Sequence, residues 1–541
     1  MLRQVSKKEG APAVFVPTAD YCQRIRAGSY IGRKGYTIPK ALLHPDDLKF
    51  LYHDLFMVPS KNGPTYGAPG DQDQQAFPVY RENANKIYLP RFYGMARYGA
   101  EVATKDLATP ASIACPFTKT LRDYQETIVG CYMKAVGPLD AGPRVPPVPS
   151  GGIIQIRCGA GKTVMAIKIL SLIRCKTLII VHKEFLLNQW VERINEFMPE
   201  ARIGRIQGPV FDVADKDVVI GMLQTVYDRE FPEGAFDAFG LTIVDEVHRI
   251  GSCQFSRALL RIQTPMMLGI TATLERKDGL TRVIHHFMGP TVYSDTQGLQ
   301  ADDDTVLVRA MEFVSRDPEF NEVVTDYRGN TQVSTMITKL CNHGPRTRFL
   351  VDILRGLVDE TPEAQILVLG HNRSLLVDLH AAIVDLDLAT VGYYLGGMKT
   401  AALEATTEKQ IILATYAMAA EGFDHKNLSI LVMVTPKTDI VQSVGRIFRT
   451  KHPRHLIVDV VDTHDSFKSQ WNRRRVYYKK SGFRIQHCLS TEPTVWKTLH
   501  EPRAKGAGGG SAGGAATAKD DDPTAASPGC LIPLGDLEEP A

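Results

Sequence analysis

Lys162 and Thr163 follow Gly159-Ala160-Gly161 at the end of the apolar run Ile153-Ile154-Gln155-Ile156, and a helical pattern from Val164 to Leu170 begins at once. Glycines let successive backbone N–H groups face an anion, and the helix N-terminus adds partial positive charge. A lysine ammonium in that setting reaches the outer phosphates of a nucleoside triphosphate, and the threonine hydroxyl ligates Mg²⁺. Gly159, Gly161, Lys162 and Thr163 are therefore candidate phosphate and metal residues. The longer Gly-x-x-x-x-Gly-Lys-Thr form is incomplete, because Ile156 stands at its first glycine position. The short form alone could be a chance turn, so the assignment needs support downstream.

Leu241-Thr242-Ile243-Val244 is a second apolar run, and it ends in Asp245-Glu246-Val247-His248. A carboxylate at the C-terminal end of a strand lies where a parallel sheet presents side chains to a ligand. In that position Asp245 would hold Mg²⁺, directly or through water, and Glu246 would orient and deprotonate an attacking water. A surface acid pair after a strand is the alternative; the spacing from the phosphate loop, that of a βαβ unit, favours the catalytic reading. Far downstream, Gln442-Ser443-Val444-Gly445-Arg446-Ile447-Phe448-Arg449 sets two arginines three apart, on one helix face. Arg446 and Arg449 could both face one anion, and a planar guanidinium stabilises charge on a transferred phosphoryl group. Taken alone, a solvated basic helix face is the better explanation of two arginines. Beside the strand end and small residues of Ala414 to Asp424, with Gly422 and Asp424, they form the second part of one nucleotide site.

These segments, with Leu121-Arg122-Asp123-Tyr124-Gln125 and Thr271-Ala272-Thr273, resemble in order the signature motifs of superfamily 2 helicases. Asp-Glu-Val-His and the run Leu268 to Asp278 are most similar to the xeroderma pigmentosum group B branch. Phe77 to Glu82 and Lys86 to Gly94 resemble the N-terminal region of helicases from large nucleocytoplasmic DNA viruses, including the poxvirus transcript-release type. The motifs span roughly residues 77 to 485. The resemblance implies that Gln125 reads adenine, so that the cofactors are ATP and Mg²⁺, and that Gln442, Arg446 and Arg449 close on the γ-phosphate. It also implies nucleotide contact for Gly422 and Asp424, and coupling between hydrolysis and nucleic-acid grip for Thr271 and Thr273. Its implied activity is ATP-driven 3′-to-5′ movement on DNA, or on RNA, in transcription or repair, with RNA polymerase or its machinery as partner. A duplex translocase without strand separation is the alternative. Where the repair helicase has Arg-Glu-Asp, this chain has Arg276-Lys277-Asp278, which weakens any damage-sensing role for that acidic position.

The remainder of the chain must position these groups. Its 541 residues are enough for three or four domain-sized pieces. With 44% hydrophobic and 23% charged residues it has globular composition, and no apolar run is long enough to cross a bilayer. Met1 to Glu9 lacks the apolar core of a secretory signal, so the expected location is cytoplasm, nucleus or virion. Nine cysteines without Cys-x-x-Cys spacing read as reduced thiols, and the histidines have no zinc-ligand pattern. A net charge of +3 is too small to indicate a nucleic-acid partner by itself.

The expected fold class is α/β, with two tandem RecA-like lobes, a small N-terminal domain and a disordered C-terminal tail. The expected divisions are residues 1–115 (N-terminal domain), 116–298 (ATP-binding lobe), 299–485 (second lobe) and 486–541 (extension and low-complexity tail). Strand-like runs alternate with helical patterns in both lobes, the mark of a parallel sheet covered on both faces. The Pro- and Gly-rich segment from Gly137 to Gly152 is a surface insertion. Two basic stretches interleave aromatics and could track phosphates and stack on bases. One runs from Arg24 through Arg26, Arg33 and Lys34 to Lys40, with Tyr30 and Tyr36; the other runs from Tyr80 to Tyr98. For the latter, a small cap whose aromatics form its core is an equal reading. Lys468, Arg473, Arg474, Arg475, Lys479 and Lys480 crowd a helical segment with Trp471, Tyr477 and Tyr478, open to phosphate contact or to packing with solvated bases.

Overall fold

The computed structural model describes residues 14–59, 76–105, 107, 109–137, 149–157, 159–248, 253–262, 264–276, 278–295, 306–421, 427–448 and 455–502. The expected low-complexity tail, most of the 137–152 insertion, Lys277, Gly422, Asp424 and Arg449 lie outside these residues. The chain forms two compact units. The described residues up to 156 and those of Gly161–Asp295 form one, and the described residues of Arg157–Ala160 and of 306–502 form the other.

In the first unit the described residues form an eight-stranded sheet. Its order is Val210–Phe211, Ile203–Gln207, Val218–Met222, Thr177–Val181, Leu241–Asp245, Met266–Thr271, Ser150–Gln155, Thr291–Ser294. All pairs are parallel except the first. Strands such as Thr177–Val181 and Leu241–Asp245 are buried at every position, which is why they read as unbroken apolar runs. Helices Lys162–Ile173 and Glu184–Phe197 cover the sheet through Ile167, Leu170, Leu187, Trp190 and Ile194. Each such side chain contributes roughly 1.5–3 kcal/mol of transfer free energy. The order matters for chemistry. Met266–Thr271 is inserted between the phosphate-loop strand Ser150–Gln155 and the acidic strand Leu241–Asp245, so three strand ends converge at one edge.

The N-terminal segment of this unit carries a small five-stranded sheet, Arg81–Glu82, Lys86–Leu89, Gly35–Pro39, Tyr30–Gly32 and Ala103–Thr104. Its tyrosines are structural. Tyr36 and Tyr98 are buried, and the buried Asp47 accepts the hydroxyls of Tyr21 at 2.9 Å and Tyr98 at 2.7 Å while pairing with Arg97. Of the two readings of Tyr80 to Tyr98, packing is the one realised: Tyr88, Tyr93 and Arg91 are buried, and Arg91 Nη1 donates to the Thr264 carbonyl. In the first basic stretch, Arg33 pairs with Asp237, Lys40 with Glu82 at 2.7 Å, and Arg26 donates to the Tyr98 carbonyl at 2.9 Å. Only Arg24 and Lys34 of that stretch lie exposed over aromatic rings, those of Tyr21 and Tyr88.

The second unit has its own eight-stranded sheet, in the order Val391–Tyr394, Ile411–Thr415, Gln365–Gly370, Leu428–Met433, His455–Asp462, Val306–Phe313, Arg484–Leu489, Glu492–His500. Only the last pair is antiparallel. The sheet thus runs on to His500, past residue 485. The two lobes are RecA-like parallel sheets. Two buried ion pairs brace the second: Arg346 grips Asp462 at 2.7 and 2.9 Å, and Arg474 grips Asp459 at 2.7 and 2.8 Å. Arg474 therefore sits in the core, where Tyr478 also donates to Asp459 at 2.9 Å, and is no phosphate contact. On the same helix, Asp465–Lys480, Arg473, Lys479 and Lys480 stay exposed.

Candidate nucleotide site

The phosphate loop leaves its strand at Gln155 and enters the helix at Lys162, with Gly159 at φ 81° and Gly161 at φ 88°. Both values lie in the left-handed region that glycine adopts without strain. Gly161 has a second reason to lack a side chain: a Cβ there would meet Gln125 Nε2 at 2.5 Å. Gln125 is buried, and its Oε1 accepts the Arg122 N–H at 3.0 Å, fixing the side chain at the start of helix Asp123–Val136. The sequence motifs around residues 125 and 161 thus meet in space.

The acid pair faces this loop. Lys162 Nζ lies 3.2 Å from Glu246 Oε1. Asp245, 7% exposed, accepts the Glu246 N–H at 2.9 Å on Oδ1 and the Trp190 indole N–H at 3.0 Å on Oδ2. Burial, then the neighbouring Glu246, push the Asp245 carboxyl up to about 6. Burial acts the same way on Glu246, but the Lys162 ammonium and His248 overcome it and hold that carboxyl well below the usual range. Glu246 itself has φ 50°, uncommon for a non-glycine residue, so the turn that aims its carboxylate stores strain.

The inserted strand closes the network. His248 Nδ1 is 2.9 Å from Thr271 Oγ1 and 3.3 Å from Glu246 Oε2. Thr271 donates its hydroxyl hydrogen to the Thr273 carbonyl at 2.8 Å, which leaves His248 as the donor between the two side chains. Arg276 Nη1 donates to the His248 carbonyl, and its Nε to Asp278 at 3.0 Å. The acid pair, the histidine and Thr271-Ala272-Thr273 are one hydrogen-bonded unit.

One contributor was not visible in the sequence: Trp190 reaches Asp245 from a helix 55 residues earlier and belongs to no local pattern. Arg276, which stood out in the sequence only as part of the run Leu268 to Asp278, ties down the backbone of His248. Thr163 follows Lys162 in the first turn of the loop helix. Arg446 belongs to the other unit, in the turn after helix Val441–Val444, where its N–H donates to the Ser443 carbonyl at 3.2 Å. Gln442 lies on that helix with its side chain outside the described residues, as are Gly422, Asp424 and Arg449.

Hard oxygen donors, a buried carboxylate and a lysine at a glycine-lined helix start fit a Mg²⁺-bound triphosphate, since Mg²⁺ takes one or two carboxylates and phosphate oxygens. Thr163 and Asp245 are the residues that would hold the metal. Among the described residues no helix is long and apolar enough to cross a membrane.

Fold and site define a P-loop nucleoside triphosphatase of the RecA-like class. Residues 118–276 match the family model described as the type III restriction enzyme, res subunit. A putative ATP-dependent RNA helicase of Acanthamoeba polyphaga mimivirus is 33% identical over 479 residues, covering 85% of this chain and 87% of its own. A putative ATP-dependent RNA helicase of African swine fever virus (isolate Tick/Malawi/Lil 20-1/1983) is 28% identical over 384 residues, covering 64% of this chain and 74% of its own. The DNA 3'-5' translocase XPB2 of Sulfurisphaera tokodaii is 35% identical over 175 residues, 32% of this chain and 35% of its own. A solved structure of S. cerevisiae Dbp5 bound to RNA and ADP BeF3 aligns at 15% identity with a TM-score of 0.45, covering 68% of this chain and 94% of that one. The chain belongs to the superfamily 2 ATP-dependent helicases of the type found in large DNA viruses, and is an enzyme that couples ATP hydrolysis to work on nucleic acid.

Proposed function

We propose that this helicase moves along DNA in the 3′-to-5′ direction, driven by ATP held on Gln125, Gly159, Gly161, Lys162 and Thr163, and that it acts in viral transcription or repair beside RNA polymerase. The observation that carries the nucleotide chemistry is the 3.2 Å approach of Lys162 to Glu246 beside the buried Asp245. When bound, Mg²⁺ neutralises phosphate charge and orients the γ-phosphoryl group. Lys162 leaves Glu246 for the β- and γ-oxygens, which frees the Glu246 carboxylate to accept a proton from water. The water oxygen bonds to the γ-phosphorus, the bond to the bridging oxygen breaks, and ADP departs with that electron pair. Arg446 and Arg449 supply positive charge from the second lobe, Gln442 offers a neutral amide to the γ-phosphate, and Gly422 and Asp424 contact the nucleotide. Thr271 and Thr273, joined to the acid pair through His248, carry the change to the nucleic-acid side.

DNA is supported by the resemblance to the xeroderma pigmentosum group B branch and by the archaeal DNA translocase. RNA is the second reading, favoured by the names of the mimivirus and African swine fever virus relatives. ATPase stimulation by single-stranded DNA, duplex DNA and RNA, with strand-displacement and triplex-displacement assays on the same preparation, separates them. Stimulation by RNA alone refutes the DNA assignment, and triplex displacement without strand separation identifies a duplex translocase. Lys162→Ala and Glu246→Gln are expected to abolish turnover, the second while retaining ATP binding; full activity in Glu246→Gln would remove it as the base.

A further inference from the structure

The segment after strand Val306–Phe313 leaves the C-terminal edge of the second unit's parallel sheet, the edge at which such sheets receive ligands. Its root is fixed. Phe320, 2% exposed, packs against His343 at 4.4 Å and His464 at 5.2 Å. Its tip is a tight turn closed by the bridge between Thr325 and Thr331. The Asp326 carboxylate accepts the N–H groups of Arg328 at 2.8 Å and Asn330 at 2.9 Å and the Asn330 side-chain amide at 3.2 Å; Gly329 turns back at φ 79°. On this stiff turn Tyr327 stands 88% exposed, with the Arg328 guanidinium 5.0 Å from its ring.

Burial gains nothing from a ring so placed. The acids Asp317, Glu319, Glu322 and Asp326 accompany Arg316 and Arg328 along the segment, so it is a poor track for phosphates. The flat face of the ring is what it offers. One ring is too small for a protein interface, which takes on the order of 800 Å² from each partner, but is the size of one base. We propose that Tyr327, with Arg328 beside it, is a stacking platform for one base of an unpaired nucleic-acid strand. A stiff turn lowers the ordering cost of that contact.

This rests on the nucleic-acid reading above. The test uses the full chain and three labelled probes: a single DNA strand, the same strand made abasic, and a blunt duplex. Tyr327→Ala is expected to weaken binding of the intact strand about 5- to 150-fold, the usual range for losing one aromatic–base stack. Tyr327→Phe should bind as the unsubstituted chain does, and Tyr327→Ala should leave the abasic strand and the duplex unaffected. Basal ATPase, measured without nucleic acid, should be unchanged in both variants. Equal loss on intact and abasic strands, or no loss on either, overturns the inference while leaving the function standing. If the unsubstituted chain binds none of the three DNA probes, the DNA reading falls, and this inference with it.

Discussion

Trp190→Phe tests whether Asp245 must be ionised for this enzyme to work. The indole N–H donates to Asp245 Oδ2 at 3.0 Å, and the other carboxylate oxygen is engaged by the Glu246 N–H. Phenylalanine keeps an aromatic ring in the 1% exposed slot and removes the donor together with part of the indole bicycle. A hydrogen bond to a charged acceptor contributes about 1.5–3 kcal/mol, and about 1.4 kcal/mol corresponds to one pH unit, so the Asp245 carboxyl should rise by about one to two pH units. Asp245 already sits above its ordinary value through burial. The acid limb of kcat/KM for Mg²⁺-dependent ATP hydrolysis, which reports groups of the free enzyme, should move up by that amount, with activity recovering on the alkaline side. Melting temperatures give the second readout. An acid with a raised folded-state value contributes stability that is complete below its ordinary value of 3.8 and lost as pH rises through about 6. The variant's deficit, about 1.5–3 kcal/mol at neutral pH from the lost hydrogen bond, should therefore shrink on acidification. An unmoved acid limb in a variant that melts normally would refute the argument.

Gly161→Ala should strain the loop by about 1–2 kcal/mol at φ 88° and drive a methyl into Gln125, raising the KM for ATP at least about tenfold. An unchanged KM in Gly161→Ala would show that neither the φ of residue 161 nor its closeness to Gln125 matters to ATP binding. Arg346→Ala leaves Asp462 charged and fully buried, and should cost about 3–5 kcal/mol in a denaturant titration of the full chain. A cost below about 1 kcal/mol would mean that water reaches the pair.

The parallel sheets were legible because their strands are covered on both faces: Leu241-Thr242-Ile243-Val244 needs no partner sequence to declare itself. The phosphate loop and acid pair were legible because their spacing is local. What failed to show was long-range pairing of charge. Arg474 reads as one more base in a basic run, yet Asp459 fifteen residues earlier draws it into the core. Arg33 finds its acid in Asp237, and Lys40 in Glu82. Strand Glu492–His500 was hidden for the opposite reason: it lies at the sheet's edge with mostly exposed side chains and carries no apolar pattern.

On the proposed roles of Lys162 and Glu246, their contact works as a safety catch. While the pair holds, the amine is committed to the carboxylate and the carboxylate to the amine. A triphosphate that draws the lysine away would arm the base in the same stroke, so that consumption of fuel would be tied to its arrival.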